Sequence, residues 1–471
     1  MRYRLPHRAS GPLAAACALL VVAVGRASAH GVTTRFDAPV PLGLVYLGGS
    51  LTVAASAVLV ARFDVTPRPG VQVGSISPRV AETVRTAGRA GFLLGFVAVL
   101  LHGVVGARTA SENFATLFTW SVWLKGVGIV AAIGGSPWPT LSPWRTAYDA
   151  VCRLEGAEIG ARSYPERLGR WPAFAGFVVL IGVIENLTRI PQRPAATAAV
   201  VAAYALILFA GGLVFGRTWF DRADALAVLY GLLGRVAPVS VRRSDDGRAV
   251  VAVRSPWHGC HRAVDDRATA AFVVAVIYSV TFDGVAGSPA YRGISFGVRN
   301  LLPVDAAASL LLYLVGLVAF LAAFRSVVAV VAWVLESGRP PATAGDDTRP
   351  EPDGGVDGTV LLLAPTLVPI LAGYEIAHNA AYVATSAGRL PRLVGLDAVD
   401  PLWWLSVPAF WGIQVVCIVG GHVVAVVAAD VVTSRLAPTG RAATAAHAPH
   451  LVLMVGYTVV SLWVISLPVA P

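Results

Sequence analysis

The chain has 471 residues, of which 56% are hydrophobic and only 14% charged, too apolar for a soluble domain of ordinary composition. Its 37 Lys and Arg against 27 Asp and Glu give a formal charge of +10, but the arginines sit in short loops between apolar runs, a topology signal that argues against nucleic-acid binding. The four cysteines, Cys17, Cys152, Cys260 and Cys417, share no spacing that suggests a disulfide framework.

Residues 1–29 read as a secretory signal: Arg2, Arg4 and Arg8, an apolar stretch from Pro12 to Gly25, then Ala27-Ser28-Ala29. Cleavage there leaves His30 as the first residue of a mature membrane domain, residues 30–471. Ten apolar spans follow, each of a length that crosses a hydrocarbon core of roughly 30 Å. They lie near 40–62, 90–108, 114–134, 172–188, 195–216, 268–287, 305–335, 359–385, 403–433 and 450–469. The loops after the odd-numbered spans hold most of the arginines, including Arg62, Arg68, Arg79, Arg85 and Arg89, a group from Arg145 to Arg170, and the run from Arg217 to Arg267. That bias places those loops in the cytoplasm and both ends outside, in a protein of the cell membrane whose partner is the lipid bilayer.

No loop exceeds about fifty residues, so there is no room for a separate catalytic domain of typical size. After the fifth span, Asp221-Arg222-Ala223-Asp224 and the spacing of Leu226, Leu229, Leu233 and Val236 predict an amphipathic helix along the inner membrane face. Asp245-Asp246-Gly247 between two β-prone runs predicts a small cytoplasmic hairpin. The stretch 336–358 is rich in Pro, Gly and acids and reads as a disordered cytoplasmic linker dividing the spans into seven and three. The expected fold is therefore all-α: a polytopic transmembrane helix bundle with one hairpin.

The candidate chemistry lies in the spans. Glu375, His378, Asn379 and Tyr382 fall at offsets of three, four and seven, one polar stripe on a helix, and charged residues at that depth cost roughly 2.5–3.5 kcal/mol on insertion scales. His102, Glu185, Asn186 and Asp283 lie toward the same outer side, so an outer-facing polar cavity is expected, able to take a small molecule or a metal. Helix ends are also where polar residues cost least, so interhelical hydrogen bonding is the plain alternative. His30 would offer an α-amine and an imidazole, a pair suited to copper. His422, deeper in the ninth span beside Gly420-Gly421, is a further candidate ligand. Trp257-His258-Gly259-Cys260-His261 does not have a standard zinc spacing.

Several strings together carry a resemblance: Ala29-His30-Gly31, Ser142-Pro143-Trp144-Arg145, YPERLGRWP from Tyr164 to Pro172, LYGLLGRVAP from Leu229 to Pro238, VTFDG from Val280 to Gly284, Ala377-His378, and Gln414 with Gly421-His422. The chain resembles the multipass membrane proteins called fenitrothion hydrolases, along most of its length after the signal. The resemblance implies cleavage of an organophosphate triester and brings no assigned catalytic residues. Where members carry a histidine-tyrosine pair in the eighth span this chain has His378-Asn379, so no tyrosine role is carried over. On that expectation Glu375, His378 and Asp283 are the catalytic candidates, and His30, His102, His378, Glu375 and His422 the ligands of a divalent metal, copper or zinc, that would activate water. The rivals are a metal-handling or transport protein using the same residues, and a scaffold without a ligand.

Overall fold

The computed structural model describes residues 41–60, 62, 70–286, 288–302, 307–337, 355–437 and 440–466. The signal segment, His30 and most of the 336–358 linker lie outside the described residues.

In chain order the main elements are α1 (Leu42–Val60), β1 (Val71–Ile76), α2 (Pro78–Val105), α3 (Phe114–Gly134), α4 (Pro143–Glu155), α5 (171–185), α6 (Pro194–Phe215), α7 (Ala225–Val236), β2 (Val239–Arg243) and β3 (Ala249–Val253). Then come α8 (Arg267–Ala286), α9 (Pro289–Leu301), α10 (Ala308–Ser337), α11 (Gly355–Leu363), α12 (Val368–Arg389), α13 (Val407–Leu436) and α14 (Gly440–Ile465). Ten stretches among the described residues are long and apolar enough to cross a membrane, and they coincide with the ten expected spans. The chain is a multipass membrane protein of the all-α class. Two helices run further than hydropathy indicates. The second begins at Pro78, where Ser77 caps it by accepting a hydrogen bond from the Val80 amide, because Arg79, Glu82, Arg85 and Arg89 extend it beyond the apolar part. The tenth begins at Gly440.

The chain forms two compact units, and the eighth and ninth spans are each divided between them. The first unit holds α1, α8 to α11, the part of α13 from His422 onward, and α14. Its core is α8, buried from Phe272 to Tyr278, with Gly316 of α10 lying where a Cβ would meet the Tyr278 hydroxyl at 2.2 Å. The Tyr46 hydroxyl, at the start of the first span, meets Ser466 Oγ beyond the end of the tenth at 2.7 Å, so these two ends lie at one face. Asp357 bridges Arg267 and Arg325, each at 2.7 Å.

The second unit holds β1 to β3, α2 to α7, α12 and the start of α13. Gly373 and Gly421 let α12 and α13 touch: a Cβ on Gly373 would lie 2.4 Å from the Cys417 carbonyl, and one on Gly421 2.6 Å from that of Pro369. The expected hairpin forms as β2 and β3, paired from Val239↔Val253 to Arg243↔Ala249, its turn closed at Gly247 with φ +80°. A third strand joins it. β1, from the loop after the first span, pairs antiparallel with β3 from Val71↔Val253 to Ile76↔Ala249, with a bulge at Gln72/Gly74. Four spans separate β1 from β2, so the loops after the first and fifth spans emerge at the same face, the parity that the arginine pattern requires.

α7 departs from expectation. In place of one apolar face on a surface helix, Ala225, Leu226, Val228, Leu229, Tyr230, Leu232, Leu233 and Val236 are all buried, and the helix is enclosed within its unit. A helix apolar all round belongs inside a bundle. Asp224 is its N-cap, and Arg254 donates to the last carbonyls, those of Gly234 at 2.8 Å and Ala237 at 2.9 Å.

Candidate functional site

Two features of the second unit concentrate polar chemistry. The first lies deep in the spans and centres on a residue that the apolar pattern conceals. Lys125, the only lysine of the chain, sits in the middle of α3, and its Nζ lies 3.0 Å from Glu185 Oε1 on α5. Both side chains are largely buried, at 16% and 17% exposure, so each charge needs the other. The helices that carry them share an irregularity. Residues Leu117–Gly126 and Val178–Glu185 are wound as π-helix, with i→i+5 bonding, and each stretch ends at or next to its charged residue. Such wide turns are rare and re-aim the side chains that follow. The Tyr230 hydroxyl of α7 reaches the carbonyls of Trp123 and Leu124, both at 3.1 Å, and holds the wide stretch of α3 in place.

Glu375 of α12 joins this cluster. It is buried, it accepts a hydrogen bond from Asn379 Nδ2 at 3.0 Å, and it interacts electrostatically with Lys125, Glu185 and His378. Its carboxylate fits because Gly128 of α3 has no side chain: a Cβ there would lie 3.2 Å from Glu375 Oε1. The stripe read from sequence therefore divides. Glu375 and Asn379 point inward, while His378 and Tyr382 are exposed, with the His378 ring against that of Tyr374 at 5.4 Å. One ammonium faces two carboxylates, so the cluster has an excess negative charge unless a proton or cation joins it.

The second feature is a cavity of about 790 Å³ at the ends of α2 and α12, lined by His102, Gly106, Ala107, Ser111, Glu112, Arg389, Arg392 and Leu393. Asn113 shapes its rim, donating through Nδ2 to the carbonyls of His102 at 2.8 Å and Ala107 at 2.6 Å and capping α3 through the Ala115 amide. Arg389 lies fourteen residues beyond Glu375 on one unbroken helix, about 21 Å at 1.5 Å per residue. His102 at the cavity and Glu375 in the cluster thus stand at different depths.

The other sequence candidates lie elsewhere. Asp283, exposed near the end of α8, and His422, fully buried on α13 with its ring 5.9 Å from that of Tyr457, belong to the first unit. His30 is outside the described residues. Among the described residues no three His, Cys, Asp or Glu side chains converge as a metal-ligand set. In the loop before α8 the Cys260 thiol is buried, which pushes it up to about 12, well away from a ready thiolate ligand.

Sequence reasoning missed Lys125 because one cation in a twenty-residue window leaves hydropathy nearly unchanged. The signal was available in its being the only lysine. Comparison with protein-family models, with curated proteins and with solved structures finds no match to this chain.

Proposed function

We propose that this membrane protein takes a phosphoryl-bearing small molecule into the cavity lined by Arg389, Arg392 and His102, and hydrolyses a phosphate ester there. The observation that carries the reading is the meeting of two arginines, an imidazole, the Ser111 hydroxyl and the Glu112 carboxyl around a space of ligand size. The sequence resemblance to fenitrothion hydrolases supplies the reaction class. Arginine suits the anion that hydrolysis produces, because its planar fork donates two hydrogen bonds to a phosphate. In the proposed step His102 takes a proton from water as the oxygen attacks phosphorus. The P–O bond to the aryl group breaks, the phenolate leaves, and the dialkyl phosphate is held by the arginines. No step is routed through a metal, since the described residues do not form a ligand set for one.

The test is turnover of an aryl dialkyl phosphate triester by the full chain in nanodiscs, followed by phenolate absorbance. His102→Ala is expected to lower kcat by at least about a hundredfold, the size of a lost general base. Arg392→Ala should weaken inhibition by dialkyl phosphate without a comparable loss of kcat. Wild-type protein without turnover, or His102→Ala with full turnover, overturns the reading.

A further inference from the structure

The first unit holds a second set of buried titratable groups, and none of them takes part in the cavity. On α14, His447 and His450 lie three residues apart on one face, and both are almost wholly buried, at 5% and 0% exposure. Each has one ring nitrogen committed. His447 Nδ1 lies 3.3 Å from Asp430 Oδ1 of α13, and His450 Nε2 lies 3.2 Å from Thr366 Oγ1. The other nitrogen of each ring, Nε2 of His447 and Nδ1 of His450, is buried without a partner among the described residues. Leaving such an atom unpaired costs about 1–3 kcal/mol. Two on adjacent turns of one apolar helix call for a role. Between them α14 carries Pro449, which has no N–H to donate to the Ala445 carbonyl one turn back.

Further polar groups continue the series. His422 of α13 is fully buried against Tyr457 of α14, whose hydroxyl meets Thr281 Oγ1 of α8 at 2.5 Å and the Ile277 carbonyl at 3.3 Å. Thr281 is two residues from Asp283, which is exposed near the end of α8. From Asp430 back to His422 is eight residues of α13, about 12 Å, and from His447 to Tyr457 ten residues of α14, about 15 Å. The two helices run antiparallel with these pairs at matching levels. Titratable side chains thus recur through about half of a 30 Å core. Ser279 and Tyr313, joined at 2.6 Å, lie beside the row between α8 and α10.

We propose that this row is a proton path through the first unit, loaded at the Asp430–His447 pair. Each imidazole accepts a proton on one ring nitrogen and releases one from the other, returning to the neutral form, and Asp430 balances the charge while His447 is protonated. No bond other than N–H and O–H forms or breaks. The groups facing the pair and its successor are Asp430 from α13 and Thr366 from the segment after α11, while His422, Tyr457 and Thr281 form the next station, about 12–15 Å further along α13 and α14. A metal is the less fitting occupant, because no three ligand side chains converge among the described residues.

The experiment uses the full chain in liposomes carrying a pH-sensitive dye, with a potassium gradient and valinomycin to drive proton entry. Wild-type protein is expected to acidify the lumen faster than protein-free liposomes. His450→Phe and Asp430→Asn should each cut that rate at least tenfold, and Thr366→Val severalfold. Arg248→Ala, on the exposed turn between β2 and β3 in the other unit, should leave it unchanged. Gel filtration and thermal unfolding of each variant separate loss of path from loss of fold, and Thr366→Val removes only one hydroxyl. Wild-type flux equal to that of protein-free liposomes overturns the proposal, as does wild-type flux in folded His450→Phe.

Discussion

The two units bury polar groups in opposite ways. The second unit fixes charge: Lys125 is held by Glu185, Glu375 is held by Asn379, and Asp224 is ringed by donors. The first unit buries groups that exchange protons and are stable when neutral, namely His422, His447, His450 and Tyr457. Three of its full charges, Arg267, Arg325 and Asp357, bridge one another where their side chains reach the surface. A buried full charge is costly to strip of its partner, because the survivor stays in a low dielectric. A neutral imidazole or hydroxyl that loses a partner forfeits far less. The second unit is therefore expected to be rigid and intolerant at its buried polar positions, and the first adjustable.

The sharpest way to break that contrast is Lys125→Met. It leaves the Glu185 and Glu375 carboxylates buried without their cation, and a loss of about 3–5 kcal/mol is expected, read from unfolding in mixed micelles. Lys125→Met combined with Glu185→Leu should recover part of that loss, because an apolar pair can replace an ion pair at little cost. If the single and double variants are equally stable, the pair is not held as a fixed charge.

Asp224 gives the next largest effect and is reached through pH. Its carboxylate accepts from Trp138 Nε1 at 2.8 Å, Trp144 Nε1 at 2.9 Å, the Tyr204 hydroxyl at 2.9 Å and the Leu226 amide at 2.9 Å. Burial raises its proton affinity above the usual carboxylate range, and those four donors oppose the rise without cancelling it. A carboxyl with a raised folded-state value makes the folded protein bind more protons than the unfolded chain. Its contribution to stability therefore falls as pH climbs from the ordinary Asp value through the raised one. Asp224→Asn cannot titrate and should lack that component. The difference in Tm between wild type and Asp224→Asn is expected to narrow with rising pH across that window if the wild type is the more stable at its lower end. A difference constant with pH contradicts the raised affinity. Asp224→Ala, which orphans three side-chain donors at once, should cost about 3 kcal/mol or more.

How much of this was legible in sequence follows from which properties hydropathy carries. All ten spans could be read, because each is a long apolar run. The hairpin could be read from Asp245-Asp246-Gly247, but β1 could not: its partner strand is over 160 residues away, and all six of its residues are exposed, so no burial pattern marks it. Glu375 announced itself as an acid in an apolar helix. Its surroundings did not, because the π-helical turns that aim Lys125 and Glu185 at it have no proline or glycine signature in 117–124 or 178–181. His447 lay before the tenth span as read, 450–469, and His450 at its first residue, so neither stood out as buried until Gly440 proved to start the helix.

The smallest effect tests the adjustable side of the contrast. Thr366→Val removes the hydroxyl that meets His450 Nε2 and keeps the volume nearly constant, so no cavity opens. Interhelical hydrogen bonds in membrane proteins average about 0.6 kcal/mol with a maximum near 1.7, partly because the unfolded chain in the membrane also finds partners. A loss of about 0.5–1 kcal/mol is expected in the same mixed-micelle assay used for Lys125→Met. His450 has a second ring nitrogen and a free choice of tautomer, so its ring adapts to the lost partner where a stranded carboxylate has no such option. A loss that approaches that of Lys125→Met would mean that His450 carries a fixed charge, and the first unit would then bury charge in the same way as the second.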